Sequence, residues 1–495
     1  MREYSPKRRT ALVLSGSGAS GAYHAGVLRA LDESGVKIDV VVGSGVGTVA
    51  AAFAAVAGGG KLYGDGGFWD GAGWDSFYRL HPALRIALLL LATAFGVFLF
   101  PAVLALLGGL LLFPLVLIVD VVAPGLPSRL TQGLWTAPSV LRAPYLAALA
   151  VPVFALSVLV VAYVLLGVAR RGRRFAEVFE TPLDARPAAQ RLSDALWEVA
   201  RGSAISAGPP SESELGRRFV ALLAENLGQP GFRELILRAA DLETGNVLPF
   251  VLLHDAARAA FASTRATGPR SRLEGIPGAV DLRETGHDSL LFDAVITGLL
   301  PPLVAPARRV SFPRGGIYAG ETHRLADATL AAGCGISEAI AAGAEQVIVA
   351  SGSPHSASPP PRRRGPRAAA DGMLAALERQ ALEGDVRGVE RTSRIVETLG
   401  HRMDDGSRAW QDPATGRVYR DVPVYVIRPD RRAFGPLELD GAQDPATEVL
   451  ETPEDLLEQG YRDAYRMFVE PVVGAVPEPR RRGASEAPET QPVEL

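Results

Sequence analysis

The apolar positions of this chain fall into three kinds of run. The first kind is short and mostly apolar: Thr10–Ser15, Ile38–Val42, Ile236–Ala240, Leu248–Leu253, Gln346–Ala350 and Val422–Ile427. Runs of five or six such residues, bounded by turn-forming residues, read as strands, and Thr10–Ser15 as a buried one. The second kind has helical spacing. After Gly21, residues His24, Val27, Leu28 and Leu31 recur at i, i+3, i+4 and i+7, one face of a helix. Thr48–Val56, Leu192–Val199, Glu214–Leu227, Ala368–Leu399 and Pro453–Val469 also read as helices. Strands and helices alternating along a chain predict an α/β fold, a mainly parallel sheet with helices on both faces.

The third kind is longer. Ile86–Val119 and Ala143–Ala169 contain no charged residue. A helix needs about 20 apolar residues to cross roughly 30 Å of hydrocarbon. The second block fits one crossing; the first is too long for a single straight one. It reads as a span kinked at Pro101 or Pro114, or as two short segments forming a re-entrant hairpin. Arg85 opens the first block and Arg170, Arg171, Arg173 and Arg174 close the second, while residues 120–142 between them are less basic. Basic flanks stay on the cytoplasmic side. The expectation is an integral membrane protein with a transmembrane helical hairpin inserted at 85–170 and its main domain in the cytoplasm.

Composition changes little in this picture. The net charge of -3 over 495 residues gives no basic footprint for nucleic acid. Cys334 is the sole cysteine, which excludes an internal disulfide. The basic segment Met1–Thr10 leads into too short an apolar run for a cleavable secretion signal. His254, His287 and His323 are scattered without metal-ligand spacing and read as satisfied surface or loop residues, so no metal and no other cofactor is expected. The Pro-, Ser- and Arg-rich stretch 353–367 reads as an exposed loop whose Arg362–Arg364 suits anionic headgroups, and 477–495 as a disordered tail.

The candidate chemistry lies in two glycine-rich turns. Gly16-Ser17-Gly18-Ala19-Ser20-Gly21 joins the first strand to the first helix, where backbone N–H groups receive negative charge. Its Gly-x-Gly-x-x-Gly spacing also fits dinucleotide binding. That reading requires an acidic residue ending the second strand; here the strand ends in Gly43-Ser44-Gly45, with Asp39 at its start. The second turn, Gly43-Ser44-Gly45-Val46-Gly47, has glycines two before and two after its centre, the pattern of a nucleophile elbow.

With these motifs the chain resembles the patatin-like phospholipase family. Further likeness lies in Gly21–Leu28, Ala240–Gly245, Asp327-Ala-Thr329, Ser337–Ala344, Pro429, Gly435–Leu439 and Gln459–Ala464. The resemblance implies a patatin-type domain in two parts, 1–84 and 171–352, around the insert, with a C-terminal extension over 368–476. It also implies lipid acyl-ester hydrolysis. In the family a serine at the elbow centre attacks the ester carbonyl. An aspartate orients it or accepts its proton, and the glycine-rich turn binds the oxyanion.

Carried over by position, the oxyanion turn is Gly16, Ser17, Gly18, Ser20 and Gly21, the elbow glycines are Gly43 and Gly47, and the acid is Asp327. Four departures from the pattern, at five positions, stand out. Gly45 stands at the nucleophile, Ser17 at the middle glycine of the turn, Ser20 at its basic residue, and Ala328-Thr329 at the two glycines after the aspartate. Glycine cannot form an acyl-enzyme. The expectation is therefore a membrane-anchored member, impaired in catalysis, that binds membrane lipid or an acyl ester. The alternative is an active hydrolase using Ser44 with Asp327. Ser44 lies one residue early, and its side chain should leave the turn in another direction.

Overall fold

A computed structural model describes residues 4–122, 183–266, 278–354, 366–430 and 450–474 apart from short gaps, and only a few positions within 123–182 and 431–449; Gly435–Leu439, most of the stretch 353–367 and the tail 477–495 lie outside the described residues. The described residues form two compact units. One comprises Met1–Tyr78, Ala185–Pro302 and Ala307–Leu495; the other Arg79–Asp184 and Leu303–Pro306.

The first unit is built on a nine-stranded sheet. Its strands are β1 (Thr10–Gly16), β2 (Val40–Gly45), β3 (Glu234–Asp241), β4 (Asn246–Leu252), β5 (Val280–Asp281), β6 (Arg308–Ser311), β7 (Thr322–Asp327), β8 (Gln346–Ser351) and β9 (Val424–Ile427). The main path runs β9-β8-β1-β2-β3-β4-β5. From β9 to β3 every pairing is parallel. β3 and β4 form an antiparallel hairpin, and β7 pairs antiparallel with both β3 and β6. The central strands bury both faces: no residue of β1, β2 or β8 is exposed. That explains their unbroken apolar runs, since helices cover both sides of a parallel sheet.

The helices of the first unit include α1 (Ser20–Glu33) and α2 (Gly47–Ala55), and, after α3 (Pro82–Val122) of the second unit, α4 (Arg186–Ala200), α5 (Glu212–Asn226), α6 (Asp255–Ala266), α7 (Ile336–Ala341), α8 (Pro366–Leu399) and α9 (Pro453–Ala464). α9 begins at a capping box, Thr452 with Asp455, with Pro453 in the first turn. It is tied to α1 by the Tyr23 hydroxyl, which donates to Asp463 Oδ2 at 3.2 Å.

The second unit contains α3 and the short antiparallel pair Arg79–Leu80 with Leu183–Asp184. No transmembrane helix is found among the described residues. α3 is described along its backbone, with side chains at only part of its positions, and the block Ala143–Ala169 lies outside the described residues except for a few. The expected hairpin is therefore not seen. The first apolar block lies within one continuous helix of 41 residues, and not in two short separate segments.

One histidine reading is corrected: His323 is buried in strand β7, neither surface nor loop, while His287 is a satisfied turn residue, though a buried one. His287 Nδ1 pairs with the Asp281 carbonyl at 3.1 Å, and His323 is held between Asp241 (2.9 Å) and Glu321 (3.1 Å).

Candidate active site

Sheet register brings the two glycine-rich turns together. β1 and β2 are parallel neighbours in which Ser15 faces Ser44 and Gly16 faces Gly45. Both strands thus end side by side, and their turns leave from the same carboxyl edge, where open α/β sheets bind ligands. β3 then recruits the aspartate. Its residue Arg238 pairs with Ser44 of β2, and its next residue, Ala239, pairs with Asp327 of β7. Asp327 therefore arrives next to the end of β2.

The backbone at the centre of the second turn is left-handed. Gly45 has φ +61°, the left-handed region that ordinary residues enter only under strain. A Cβ built on it would lie 3.0 Å from Asp327 Oδ1, and would overlap the Thr329 hydroxyl and the Gly16 carbonyl oxygen. The vacant side-chain direction of residue 45 thus points at the aspartate. Gly47 allows α2 to pack on the sheet, since a Cβ there would overlap the Leu14 carbonyl. α2 is buried along its whole length. Its start is fixed by the Thr48 hydroxyl, within hydrogen-bond distance of the carbonyls of Gly45 (2.9 Å) and Val295 (2.8 Å).

The first turn closes on itself and on α8. The Gly16 carbonyl accepts from Val46 N–H at 2.9 Å, which links the two turns directly. Ser20 turns inward and donates to the Ser17 carbonyl at 2.7 Å. The Ser17 hydroxyl donates to Glu378 Oε2 of α8 at 3.1 Å. Glu378 is buried, and its Oε1 has no hydrogen-bond partner. Gly21 lies against Trp69, because a Cβ there would overlap the indole ring.

Asp327 and Thr329 form the tightest polar contact of the site. Asp327 Oδ1 accepts from both the Thr329 N–H and the Thr329 hydroxyl, each at 2.6 Å. That hydroxyl also lies 3.2 Å from the Gly16 carbonyl. Burial pushes the Asp327 carboxyl up to about 7, against the lowering effect of the Thr329 hydrogen bonds. Burial likewise pushes Glu378 up to about 8, with the Asp327 charge adding to the rise and Ser17 opposing it.

Ser44 is brought beside this cluster in sequence but not in contact. Its hydroxyl is buried and accepts from Arg238 Nη1 at 3.2 Å, on the neighbouring strand. The guanidinium is held in turn by Glu338 (3.3 Å) and the Gly333 carbonyl (2.7 Å).

The surroundings are closed. Phe68, Trp69, Phe77 and Tyr78 form a buried aromatic cluster. Arg191 stacks over Phe68 and Phe77 and donates to the carbonyls of Phe68 and Asp70. Tyr78 donates to the Leu299 carbonyl at 2.6 Å. A cavity of about 520 Å³ lies elsewhere, lined by Arg9, Asp39 and Glu234 among others. Those residues mark the starts of β1, β2 and β3, the opposite edge of the sheet from the aspartate. The site is thus a packed arrangement of a hydroxyl, two carboxyls and two backbone turns.

Sequence reasoning gave no role to Glu378, Trp69 or Tyr78. Thr329 entered only as a departure from a glycine. Among the described residues, no group of His, Cys, Asp and Glu side chains suits a metal ion.

No family model matches the chain, and no curated protein does. Among solved structures the chain is similar to VipD from Legionella pneumophila, at 10% identity over 94% of this chain and 67% of that one, with a TM-score of 0.28.

Proposed function

We propose that the protein is a lipid-associated member of the patatin-type acyl-hydrolase class that binds acyl lipid without turning it over. The observation that carries this reading is Gly45. It has the left-handed backbone of an elbow centre and its side-chain direction points at Asp327, yet it has no atom with which to attack. In an active site of this design the elbow hydroxyl adds to the ester carbonyl and gives its proton to the aspartate, while turn N–H groups take the developing charge. Here the aspartate and the turn are present and the first participant is missing. What remains is a buried polar cluster beside an aromatic wall, which packs closed in this structure and which an acyl ester would have to part.

Ester hydrolysis and fluorophosphonate labelling of the purified protein test this. The expected result is turnover no higher in the wild type than in Asp327→Asn, with no phosphonate adduct on any serine or threonine. Binding of a non-hydrolysable ether lipid should persist in both proteins. Turnover that Asp327→Asn abolishes, or an adduct on Ser44, would overturn the reading.

A further inference from the structure

We infer that Thr329 has taken the place of the elbow side chain: the hydroxyl that contacts Asp327 comes from the aspartate's own loop, and Gly45 and Thr329 form one coupled pair. The inference rests on reading the site as an acyl-hydrolase type, and its test uses no activity.

The geometry has three parts. The Thr329 hydroxyl lies where the first side-chain atom of residue 45 would be, so the two cannot coexist without a shift. The same hydroxyl is 2.6 Å from Asp327 Oδ1, the acceptor that an elbow hydroxyl would address. Its other neighbour is the Gly16 carbonyl at 3.2 Å, so it bridges the end of β1 and the aspartate. Thr329 is 2% exposed, as an internal filler should be. A bare glycine at 45 would otherwise leave a void, which is costly. Thr329 fills it and gives Asp327 Oδ1 a second donor beside the Thr329 N–H. Its one proton serves Asp327 or Gly16 at a given moment, and neither partner is an oxyanion donor. Thr329 is therefore a positioning residue for Asp327.

A double-mutant cycle isolates the pair. Gly45→Ala adds a Cβ that meets the left-handed backbone and the Gly16 carbonyl in any background; those costs cancel in the cycle. The overlap with Thr329 does not cancel. Gly45→Ala should therefore lower the melting temperature by several degrees more in the wild-type background than alongside Thr329→Ala. Equal losses in both backgrounds would overturn the inference.

A second measurement needs no change at 45. The Asp327 midpoint, followed by NMR of ¹³C-labelled aspartate side chains, should move upward in Thr329→Ala, since a hydrogen bond to the carboxylate is lost. Thr329→Ser should hold it at the wild-type position. An unmoved midpoint in Thr329→Ala would overturn the inference even if Gly45→Ala does not fold. Neither readout depends on lipid or ester, so coupling without ether-lipid binding would sink the proposed function alone.

Discussion

At the scale of single residues, the unusual feature is two buried carboxyls next to a turn suited to negative charge. Asp327 at about 7 and Glu378 at about 8 both stand above their unfolded values near 4. A carboxyl whose folded pKa is raised binds its proton more tightly in the folded state. It therefore contributes stability that is present at acid pH and is lost as pH rises through the folded pKa, at a slope of about 1.4 kcal/mol per pH unit for each group. The native state should thus weaken between about pH 5 and pH 8. Glu378→Gln keeps a side-chain amide for Ser17 and removes one of the two ionisations. Urea unfolding at pH 5, 7 and 9 should show the wild type losing stability with pH and the variant losing less, with the gap widest at pH 9. Parallel curves would mean that Glu378 does not hold its proton inside the fold.

At the scale of elements, the elbow depends on how closely α2 approaches the strands. Gly47→Ala puts a methyl against the Leu14 carbonyl, a backbone atom of β1 that cannot swing away. Overpacking of this kind costs about 1–3 kcal/mol. A lower urea midpoint with an unchanged m-value is the expected signature; an unchanged midpoint would place α2 farther from the sheet than described. This part of the site was legible in the sequence because it is local. The strand Thr10–Ser15, its glycine turn and the helix after it, and the same succession around Gly45, follow from apolar period and glycine spacing, and the observed β1, α1, β2 and α2 differ from that reading by about two residues at their ends. What was not legible is long-range. That β7 would continue beside β3 where β2 stops depends on an antiparallel pairing of Asp327 with Ala239, which no local pattern specifies. Glu378 sits among charged residues of an amphipathic helix, and only the packing of α8 shows that this one carboxyl faces inward. Thr329 could be seen as a missing glycine, but not as an occupant of residue 45's space. The burial of His323 was misread for the same reason, since its partner Asp241 comes from a distant segment.

At the scale of the whole molecule, α3 sets the terms on which the protein meets its surroundings. A helix of 41 residues is about 60 Å long at 1.5 Å per residue, twice the hydrocarbon thickness of a bilayer. Its described apolar side chains are exposed: Leu89 at 68%, Phe95 at 62%, Phe100 at 61% and Leu110 at 72%. They do not share one face. At about 100° per residue, Leu91 lies roughly 200° around the axis from Leu89 and is itself exposed. A helix that is apolar on opposite sides is not the amphipathic cover of a core; such a helix is stable only when apolar surroundings enclose it. On the proposed lipid association, lipid would supply them without a specific partner, at about 25 cal/mol per Å² of apolar surface removed from water. The full chain should therefore float with phosphatidylcholine vesicles and stay with them through high-salt and alkaline washes. Aspartate at positions 89, 95, 100 and 110 together should release it, because charges within hydrocarbon cost a few kcal/mol each, while leaving the circular dichroism of the sheet-bearing unit in place. Wild-type protein that is monomeric in detergent-free buffer and absent from the floated fraction would overturn the lipid assignment. A detergent-free oligomer of defined size that the same four substitutions dissolve would overturn it too, and would make other copies of α3, in place of lipid, the cover of this helix.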